Sequence, residues 1–218
     1  MKVYIVIPAY NEAARIGDVL KDIKKVTSNV IVVDDGSADN TSQVAKKYIK
    51  NVLKHRVNLG KGATLKTACE AAFGMGADAV IMMDSDGQHK VEDIPVFIEA
   101  LENGFDVVFG SRNFYMGIPL VRFLGNKFAS LLVSLMFGIY VSDILCGFKA
   151  ITKSAYKKMN WESKGYGIET EMAVLTAKKR LSHCEVAVQA VYLDRLKGVT
   201  LLDAFDIFFS VLRWRLTK

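Results

Sequence analysis

Short apolar runs alternate with helix-like segments through the first half of this chain, and that rhythm constrains its fold more than any other feature. The runs predict β-strands, because they are short and bounded by polar residues, and the segments between them have the periodicity of helices. Strands alternating with helices indicate a mostly parallel sheet flanked by helices, an α/β architecture. The predicted strands are Val3–Ile7, Val30–Val33, Val52–Leu53, Ala79–Met83 and Val107–Phe109, and the predicted helices are Ala13–Val26, Thr41–Tyr48, Gly62–Met75 and Val91–Leu101.

Polar clusters stand where three of these strands end. The cluster after Ala79–Met83 carries two carboxylates one residue apart, Asp84 and Asp86, followed by Gln88. Residues i and i+2 of an extended chain point the same way, so the two carboxylates converge. Converged carboxylates repel each other unless a cation lies between them, and hard oxygen ligands favour Mg²⁺ or Mn²⁺ shared with a diphosphate. The alternative is a solvated turn that caps the next helix.

The other two clusters follow the first and second strands, as Pro8-Ala-Tyr-Asn-Glu12 and Asp34-Asp-Gly-Ser37. The carboxyl ends of parallel strands meet at one edge of the sheet, so all three clusters should contribute to one site. Glu12 and Asp35 offer acceptors for base or ribose groups, and Tyr10 offers a face for stacking. For Asp35 the alternative is a turn or helix-capping residue. Strand alternation turns Asp34 away from Asp35, so we expect Asp34 to be structural.

Composition and glycine spacing narrow the function further. The 218 residues are 51% hydrophobic with a net charge of +6, which indicates a folded protein with anionic partners. No basic-aromatic pattern marks a nucleic-acid module, so we expect phosphorylated molecules or an acidic membrane surface instead. Neither a complete Gly-x-Gly-x-x-Gly fingerprint nor a Walker-type loop is present. Three cysteines without metal-ligand spacing, and no signal-peptide pattern, indicate a reduced, cytosolic compartment.

The second half contains two amphipathic segments. In Leu120–Val141, a polar stripe of Arg122, Asn126, Ser130 and Ser134 runs along an otherwise apolar helix. Its uncharged part is shorter than the roughly 20 residues that cross a bilayer, so the pattern allows an interfacial helix or a core helix packed on the sheet. Leu201–Thr217 repeats the pattern with a basic end that suits anionic lipid headgroups.

Further elements are predicted between these two segments. They are strands at Phe148–Thr152 and Cys184–Tyr192 and a helix at Gly167–Lys179, whose early Glu169 and Glu171 complement the helix dipole.

Together these motifs resemble the family 2 glycosyltransferases, which have the GT-A fold, and among them the polyprenyl-phosphate (dolichyl-phosphate) sugar synthases. The resemblance covers nearly the whole chain. The residues that carry it are Pro8-Ala-Tyr-Asn-Glu12, Val33-Asp-Asp-Gly-Ser37, Asn58-Leu-Gly-Lys-Gly62, Asp84-Ser-Asp-Gly-Gln88, Gly110-Ser-Arg112, Asp143-Ile-Leu-Cys-Gly-Phe148 and Arg195-Leu-Lys-Gly-Val-Thr200.

The resemblance implies an inverting, metal-dependent transfer of a sugar from a nucleoside diphosphate to dolichyl or polyprenyl phosphate. Pro8, Tyr10, Glu12 and Asp35 would hold the base and ribose, and Asp84, Asp86 and Gln88 the metal and diphosphate. Arg195 and Lys197 lie on a glycine-containing loop that would close over the same diphosphate, or form a solvated turn. UDP and GDP sugars both fit, with a slight preference for a UDP sugar.

The acceptor phosphate is expected on the other side of the metal. A phosphate monoester is largely dianionic at neutral pH, so the enzyme needs to supply positive charge and orientation. Arg112 is the first choice to grip it, with Arg122, Asn126 and Lys127 as weaker candidates. Asp143 would orient the acceptor or assist as a base. Two roles are compatible with His89: it contacts phosphate or metal, or it makes a local hydrogen bond.

Two other functions are compatible with the sequence. One uses a soluble hydroxyl acceptor, which would require a general base, either Asp143 or one of Glu169 and Glu171. The other is a non-catalytic nucleotide-sugar-binding subunit. We expect one GT-A domain over residues 1–200, including the helix near 120–141, and a C-terminal amphipathic helix over 201–218. The protein would then lie peripherally on the cytoplasmic face of a membrane. A membrane partner subunit or a homo-oligomer is compatible with this arrangement.

Overall fold

A seven-stranded mixed sheet flanked by helices forms the centre of the protein. The computed structural model describes residues 1–112, 120–165, 167–189 and 201–217, without the side chains of 120–122 and 201–207. The strands are β1 (Val3–Ala9), β2 (Val30–Asp34), β3 (Val52–Lys54), β4 (Ala79–Met82), β5 (Val107–Arg112), β6 (Lys149–Thr152) and β7 (His183–Val188). The helices are α1 (Ile16–Ile23), α2 (Thr41–Lys46), α3 (Lys61–Gly74), α4 (Ile94–Glu102), α5 (Leu120–Phe137), α6 (Lys153–Met159), α7 (Ile168–Lys178) and α8 (Leu201–Thr217).

The strand order places the three polar clusters side by side. The order is β3-β2-β1-β4-β6-β5-β7, and β1 pairs in parallel with both β2 and β4. The strands β1, β2 and β4 are almost wholly buried, which explains their continuous apolar sequence. Their carboxyl ends therefore form one continuous edge.

The single antiparallel strand among those described, β6, brings a second set of residues to the same edge. It lies between β4 and β5 and pairs antiparallel with both. An antiparallel strand begins where its parallel neighbours end. The loop that precedes β6, residues 142–148, is thereby inserted between the tips of β4 and β5.

Two apolar cores cover the two faces of the sheet. One packs α1, α2 and α4 against it, with Leu20, Ile23 and Phe97 fully buried. The other packs α3, α5, α6, α7 and α8 against the opposite face. Both cores are continuous with the strands, so the tips have a rigid support on each side.

The sequence-based elements are confirmed, with differences at their ends. The structure adds α6, which was not predicted, and α1 is shorter than the predicted Ala13–Val26. Residues 190–192 of the predicted last strand lie outside the described residues. In the described part of the chain, none of the helices is both long enough and apolar enough to span a bilayer.

The orientation of α5 shows which of its two stripes faces the protein, a choice that the sequence pattern left open. Asn126 and Ser130 are buried, whereas Leu124, Phe128, Leu131 and Leu135 are exposed. The polar stripe therefore faces the protein and an apolar stripe faces outward. The reason is that Asn126 has hydrogen-bond partners in the loop that precedes β6, which compensate its burial.

Candidate active site

Hydrogen bonds between side chains and backbone N–H groups connect the residues that follow β1 to those that follow β2. The backbone N–H of Asn11, a residue with φ of 54°, donates to Ser37 Oγ at 2.9 Å, and Asn11 Oδ1 accepts from Ala38 N at 2.9 Å. The N–H of Glu12 donates to Thr41 Oγ1. Pro8 is buried within β1, whereas Tyr10 is exposed, so Tyr10 offers the open ring face at this tip.

Glu12 lies beside this tip, and its carboxylate pairs with Arg15 at 3.3 Å. The residue is almost fully buried, so the pair shapes the rim next to Tyr10.

Adjacent carboxylates after β2 have different surroundings. Asp34 is fully buried, accepts from Ser37 N at 2.8 Å and from Ser42 Oγ, and has Lys54 Nζ at 3.5 Å. Burial raises the pKa of Asp34, but the hydrogen bonds from Ser37 and Ser42 lower it by more, so the pKa lies below its ordinary value. The structural role expected for Asp34 is confirmed.

Asp35, predicted to hold the base and ribose of the nucleotide, makes several contacts within the chain. It accepts from Leu59 N at 3.0 Å and Gly60 N at 2.8 Å, and His55 Nδ1 lies 2.7 Å from its Oδ1. Burial raises the pKa of Asp35, and these bonds bring it below the ordinary value. Asp35 therefore shapes the loop that opens α3.

The negative charges of the two carboxylates after β4, Asp84 and Asp86, act on each other. Asp86 accepts from Gln88 N at 3.0 Å, and burial together with the Asp84 charge raises the pKa of Asp86 to about 6. No cluster of three or more His, Cys, Asp or Glu suited to a metal occurs among the described residues. Two carboxylates nevertheless fit Mg²⁺ or Mn²⁺, because such ions commonly keep waters and share the remaining positions with substrate phosphates.

Lys61, at the start of α3, bridges two acidic residues. Its Nζ lies 2.6 Å from Asp84 Oδ1 and 2.7 Å from Glu169 Oε1. Burial lowers the pKa of Lys61, but both carboxylates oppose this and hold it above the ordinary value. From the sequence, Lys61 could contact phosphate or be solvated, and Glu169 could complement the helix dipole or, with a hydroxyl acceptor, act as a general base. The Lys61 bridge was missed because nothing in the local pattern connects α3 to α7.

His89 makes a local contact within the fold. The backbone N–H of Asp84 donates to its Nδ1 at 3.4 Å, and its ring stacks on Phe148 with centroids 4.9 Å apart. Burial lowers the pKa of His89 to about 4, so the imidazole is neutral near pH 7. The local hydrogen bond that the sequence suggested for His89 is present.

Arg112 and Asp143 form a bidentate ion pair at the tip of β5. Arg112 Nε donates to Asp143 Oδ2 at 2.6 Å and Nη2 donates to Oδ1 at 2.9 Å, while the Arg112 backbone N–H also donates to Oδ2. Asp143 is 0% exposed, so it is positioned to orient Arg112 rather than to take a proton from an acceptor. Burial raises the pKa of Asp84, but nearby cations, chiefly Lys61, bring it below its ordinary value. Arg112 is one of these cations, so the tips of β4 and β5 lie within electrostatic range of each other.

The remaining acceptor candidates have different outcomes. Asn126 is buried, with its amide donating to Ser142 O and accepting from Leu145 N, so it holds the loop carrying Asp143 and does not present a phosphate ligand. Lys127 Nζ donates to Ser142 O at 3.1 Å. The side chain of Arg122, and all of Arg195 and Lys197, lie outside the described residues.

Glu171 has a structural position that sequence reasoning also missed. It accepts from Glu162 N at 2.9 Å and Ser163 N at 2.7 Å. The loop it holds packs against the start of α3, where Gly62 N donates to Lys164 O and Trp161 Nε1 donates to Gly62 O. This contact fixes the backbone that carries Lys61.

Comparison with known proteins agrees with this geometry. The profile of Glycosyl transferase family 2 matches residues 4–159. A UDP-N-acetylglucosamine–dolichyl-phosphate N-acetylglucosaminyltransferase of Methanococcus voltae is 30% identical, over 99% of this chain and 97% of that protein. An undecaprenyl-phosphate mannosyltransferase of Micrococcus luteus is 29% identical, over 99% of this chain and 95% of that protein.

A solved structure is similar in fold. Glucosyl-3-phosphoglycerate synthase from Mycobacterium tuberculosis, crystallised with Mn²⁺, uridine diphosphate and phosphoglyceric acid, superposes with a TM-score of 0.79. The alignment covers 98% of this chain and 78% of that chain at 20% identity. The architecture described above is thus the GT-A fold.

Proposed function

Because this chain belongs to glycosyl transferase family 2, we propose that it moves a sugar from a nucleoside diphosphate to a polyprenyl phosphate, such as dolichyl phosphate. The observation that carries this proposal is the pairing of two unlike tips. Carboxylates stand at the end of β4, and an arginine held by Asp143 stands at the end of β5. One side suits a metal and diphosphate, and the other suits an anionic acceptor.

The donor is proposed to lie over the tips of β1, β2 and β4. Tyr10 offers a stacking face, and Glu12 lies beside it at the same tip. Asp35 supports the loop below through Leu59 and Gly60, and its proposed contact is to the base or ribose. A UDP sugar is the preferred donor, because the name of the Methanococcus voltae relative, which aligns over nearly the full length of both proteins, includes UDP-N-acetylglucosamine.

Asp84 and Asp86 are the residues that would hold Mg²⁺ or Mn²⁺, with Gln88 next to them. A bound divalent ion would neutralise charge on the leaving diphosphate. The chain itself positions Asp86 through the Gln88 N–H and positions Asp84 between Lys61 and the loop before β6.

The reaction proposed is a single displacement at the anomeric carbon. An oxygen of the acceptor phosphate forms the new bond as the bond to the diphosphate oxygen breaks, and the electron pair leaves with the diphosphate. Attack from the opposite side inverts the configuration. Because the phosphate dianion is already nucleophilic near pH 7, no residue needs to take a proton from it. Arg112 would orient and partly neutralise it.

A lipid acceptor requires access to a membrane surface, and the molecule has a face that suits one. Four leucine and phenylalanine side chains of α5 are exposed along one stripe: Leu124, Phe128, Leu131 and Leu135, the last at 78%. Phe209, Leu212 and Leu216 of α8 are also exposed, and Phe128 and Phe208 join the two helices with ring centroids 6.4 Å apart. We refer to these exposed leucine and phenylalanine side chains of α5 and α8 as the apolar face. Arg213 and Arg215 of α8 are also exposed and suit anionic headgroups.

A transfer assay tests the proposal. Purified protein, Mn²⁺ and a UDP sugar are incubated with a short polyprenyl phosphate, the matching polyprenol, or a soluble sugar hydroxyl acceptor. The proposal expects metal-dependent product with the phosphate alone. Product with a hydroxyl acceptor would favour the soluble-acceptor alternative. Nucleotide binding with no turnover on any of the acceptors, whether the donor is a UDP sugar or a GDP sugar, would favour a non-catalytic subunit.

A further inference from the structure

The ion pair between Lys61 and Asp84 occupies the position where a metal would be needed. Lys61 Nζ lies 2.6 Å from Asp84 Oδ1, which is the distance of a strong charge-assisted hydrogen bond. A divalent ion and an ammonium compete for a carboxylate oxygen, because each must lie within about 3 Å of it. Asp84 thus has a cation of its own before any metal arrives.

Glu169 provides a second place for the same ammonium. Its Oε1 lies 2.7 Å from Lys61 Nζ, while its Oε2 is buried without a hydrogen-bond partner among the described residues. Glu169 as a whole is only 5% exposed. A buried carboxylate oxygen without a donor is costly, so a group that can reach it gains stability.

The other side of Asp84 is closed to large movement. A Cβ on Gly147 would overlap Asp84 Oδ2, so the loop before β6 lies directly against this carboxylate. Asp84 is therefore confined between Gly147 and Lys61. Lys61 has a long side chain and a second carboxylate already within reach, so it can leave Asp84 when another cation binds.

We propose that Lys61 is a resident counter-ion for Asp84 that moves onto Glu169 when the divalent metal binds. This inference rests on the proposed function for the identity of the metal site. In the metal-free protein Lys61 neutralises Asp84 and keeps the tip of β4 assembled. When metal takes Asp84, the ammonium moves to both oxygens of Glu169, fills the open position at Oε2 and keeps its charge inside the site.

Direct Mn²⁺ binding to the protein without nucleotide tests this exchange, with free Mn²⁺ measured by electron paramagnetic resonance. Lys61→Met removes the competitor, so the affinity for Mn²⁺ should rise roughly tenfold. Glu169→Gln removes the alternative partner and leaves Lys61 on Asp84, so the affinity should fall by roughly threefold or more. Lys66→Met, on the same helix but without a contact to Asp84, removes the same charge and should change the affinity by less than about twofold.

A double-mutant cycle separates exchange from a general effect of charge. In the Lys61→Met background, Glu169→Gln should have little further effect, because there is no ammonium left to relocate. Equal effects of Glu169→Gln in both backgrounds would overturn the proposal. So would an unchanged or weaker affinity in Lys61→Met, or an effect of Lys66→Met as large as that of Lys61→Met.

Thermal unfolding checks that each variant is folded and adds a second readout. In EDTA, Lys61→Met leaves Asp84 and Glu169 without their shared cation, so its Tm should fall, and Mn²⁺ should raise that Tm more than it raises the Tm of the natural protein. If Lys61→Met does not fold, Lys61→Gln takes its place in the cycle, because it also removes the ammonium and keeps a neutral hydrogen-bond donor between Asp84 and Glu169. Since these measurements contain neither donor nor acceptor, their failure leaves the transfer assay as the separate test of the proposed function.

Discussion

At the scale of single residues, strand alternation gives neighbouring carboxylates different tasks. Asp34 points into the sheet, where Ser37 and Ser42 satisfy it, and Asp35 points into the loop that opens α3. The sequence alone predicted this divergence, because consecutive residues of a strand face opposite sides. It did not predict that His55 and two backbone N–H groups would contact Asp35, since those partners come from a loop with no regular periodicity.

Asp34→Asn should destabilise the fold by about 2 kcal/mol near neutral pH, because it removes a buried charge from hydrogen bonds that depend on it. The folded pKa of Asp34 lies below its ordinary value of 3.8, so this stabilisation is present above that pH and is lost as the pH falls through the folded pKa. Urea unfolding at several pH values measures it. A gap between the two proteins that stays constant down to strongly acidic pH would contradict this explanation.

Arg112→Lys should lower kcat/KM for the lipid phosphate by about 100-fold, or ~2.7 kcal/mol. A lysine keeps the charge but cannot make both hydrogen bonds that Asp143 now receives from Nε and Nη2. Steady-state kinetics with varied acceptor measures the loss. Donor affinity, followed by thermal shift with UDP and Mn²⁺, is the control and should be unchanged. A loss confined to the donor would place Arg112 in the wrong half of the site.

At the scale of elements, the start of α3 and the loop before α7 depend on one close approach. Gly62 has no side chain, and a Cβ there would overlap Ser163 O. The contact holds the backbone next to Lys61, so it connects helix packing to the site. The sequence marks the glycine but not its neighbour, because the two segments are far apart in the chain.

Gly62→Ala should lower the free energy of unfolding by about 2 kcal/mol or more, because backbone must move to admit the methyl group. Gly74→Ala, at the other end of α3, is the matched control. A Cβ at Gly74 meets nothing within 4 Å, so alanine should stabilise the helix by about 0.5–1 kcal/mol. Chemical denaturation of both variants measures the difference, and an equal effect of the two substitutions would be evidence against the close approach.

The helix α5 shows where sequence periodicity reaches its limit. The polar stripe was found correctly, but the side that faces the protein could not be chosen, because both stripes are regular and the partners of Asn126 lie in a separate loop. The strand tips were easier to predict. Parallel strands bring their carboxyl ends together whatever the details of packing, so Glu12, Asp35 and Asp84 could be assigned to one edge. Arg112 was added to the site through the family resemblance. The bridge from Lys61 to Glu169 required the folded coordinates.

At the scale of the whole molecule, the carboxyl edge of the sheet and the apolar face define how a lipid phosphate would be received. The loop before β6 connects them, since Asn126 of α5 holds the same loop whose Asp143 orients Arg112. A lipid held at α5 would therefore lie on the element that supports the acceptor arginine. Such an arrangement lets the phosphate enter the site while the isoprenoid chain stays in the bilayer.

Substituting Leu131→Ser together with Leu135→Ser should weaken binding to vesicles containing anionic lipid by about tenfold or more, because both side chains are exposed on the apolar face. Sedimentation with liposomes measures the bound fraction. Val96→Ser, which changes an exposed apolar residue of α4, is the control and should bind as the natural protein does. Unchanged sedimentation of the double variant would show that the membrane contact lies elsewhere.

A crystal structure with UDP and Mn²⁺, with the ion located by its anomalous scattering, tests the metal site most directly. One Mn²⁺ is expected in contact with the carboxylates of Asp84 and Asp86 and with the diphosphate, on the side of the site that faces Arg112. An ion bound away from both carboxylates, or a diphosphate bound without a metal at the tip of β4, would contradict this assignment.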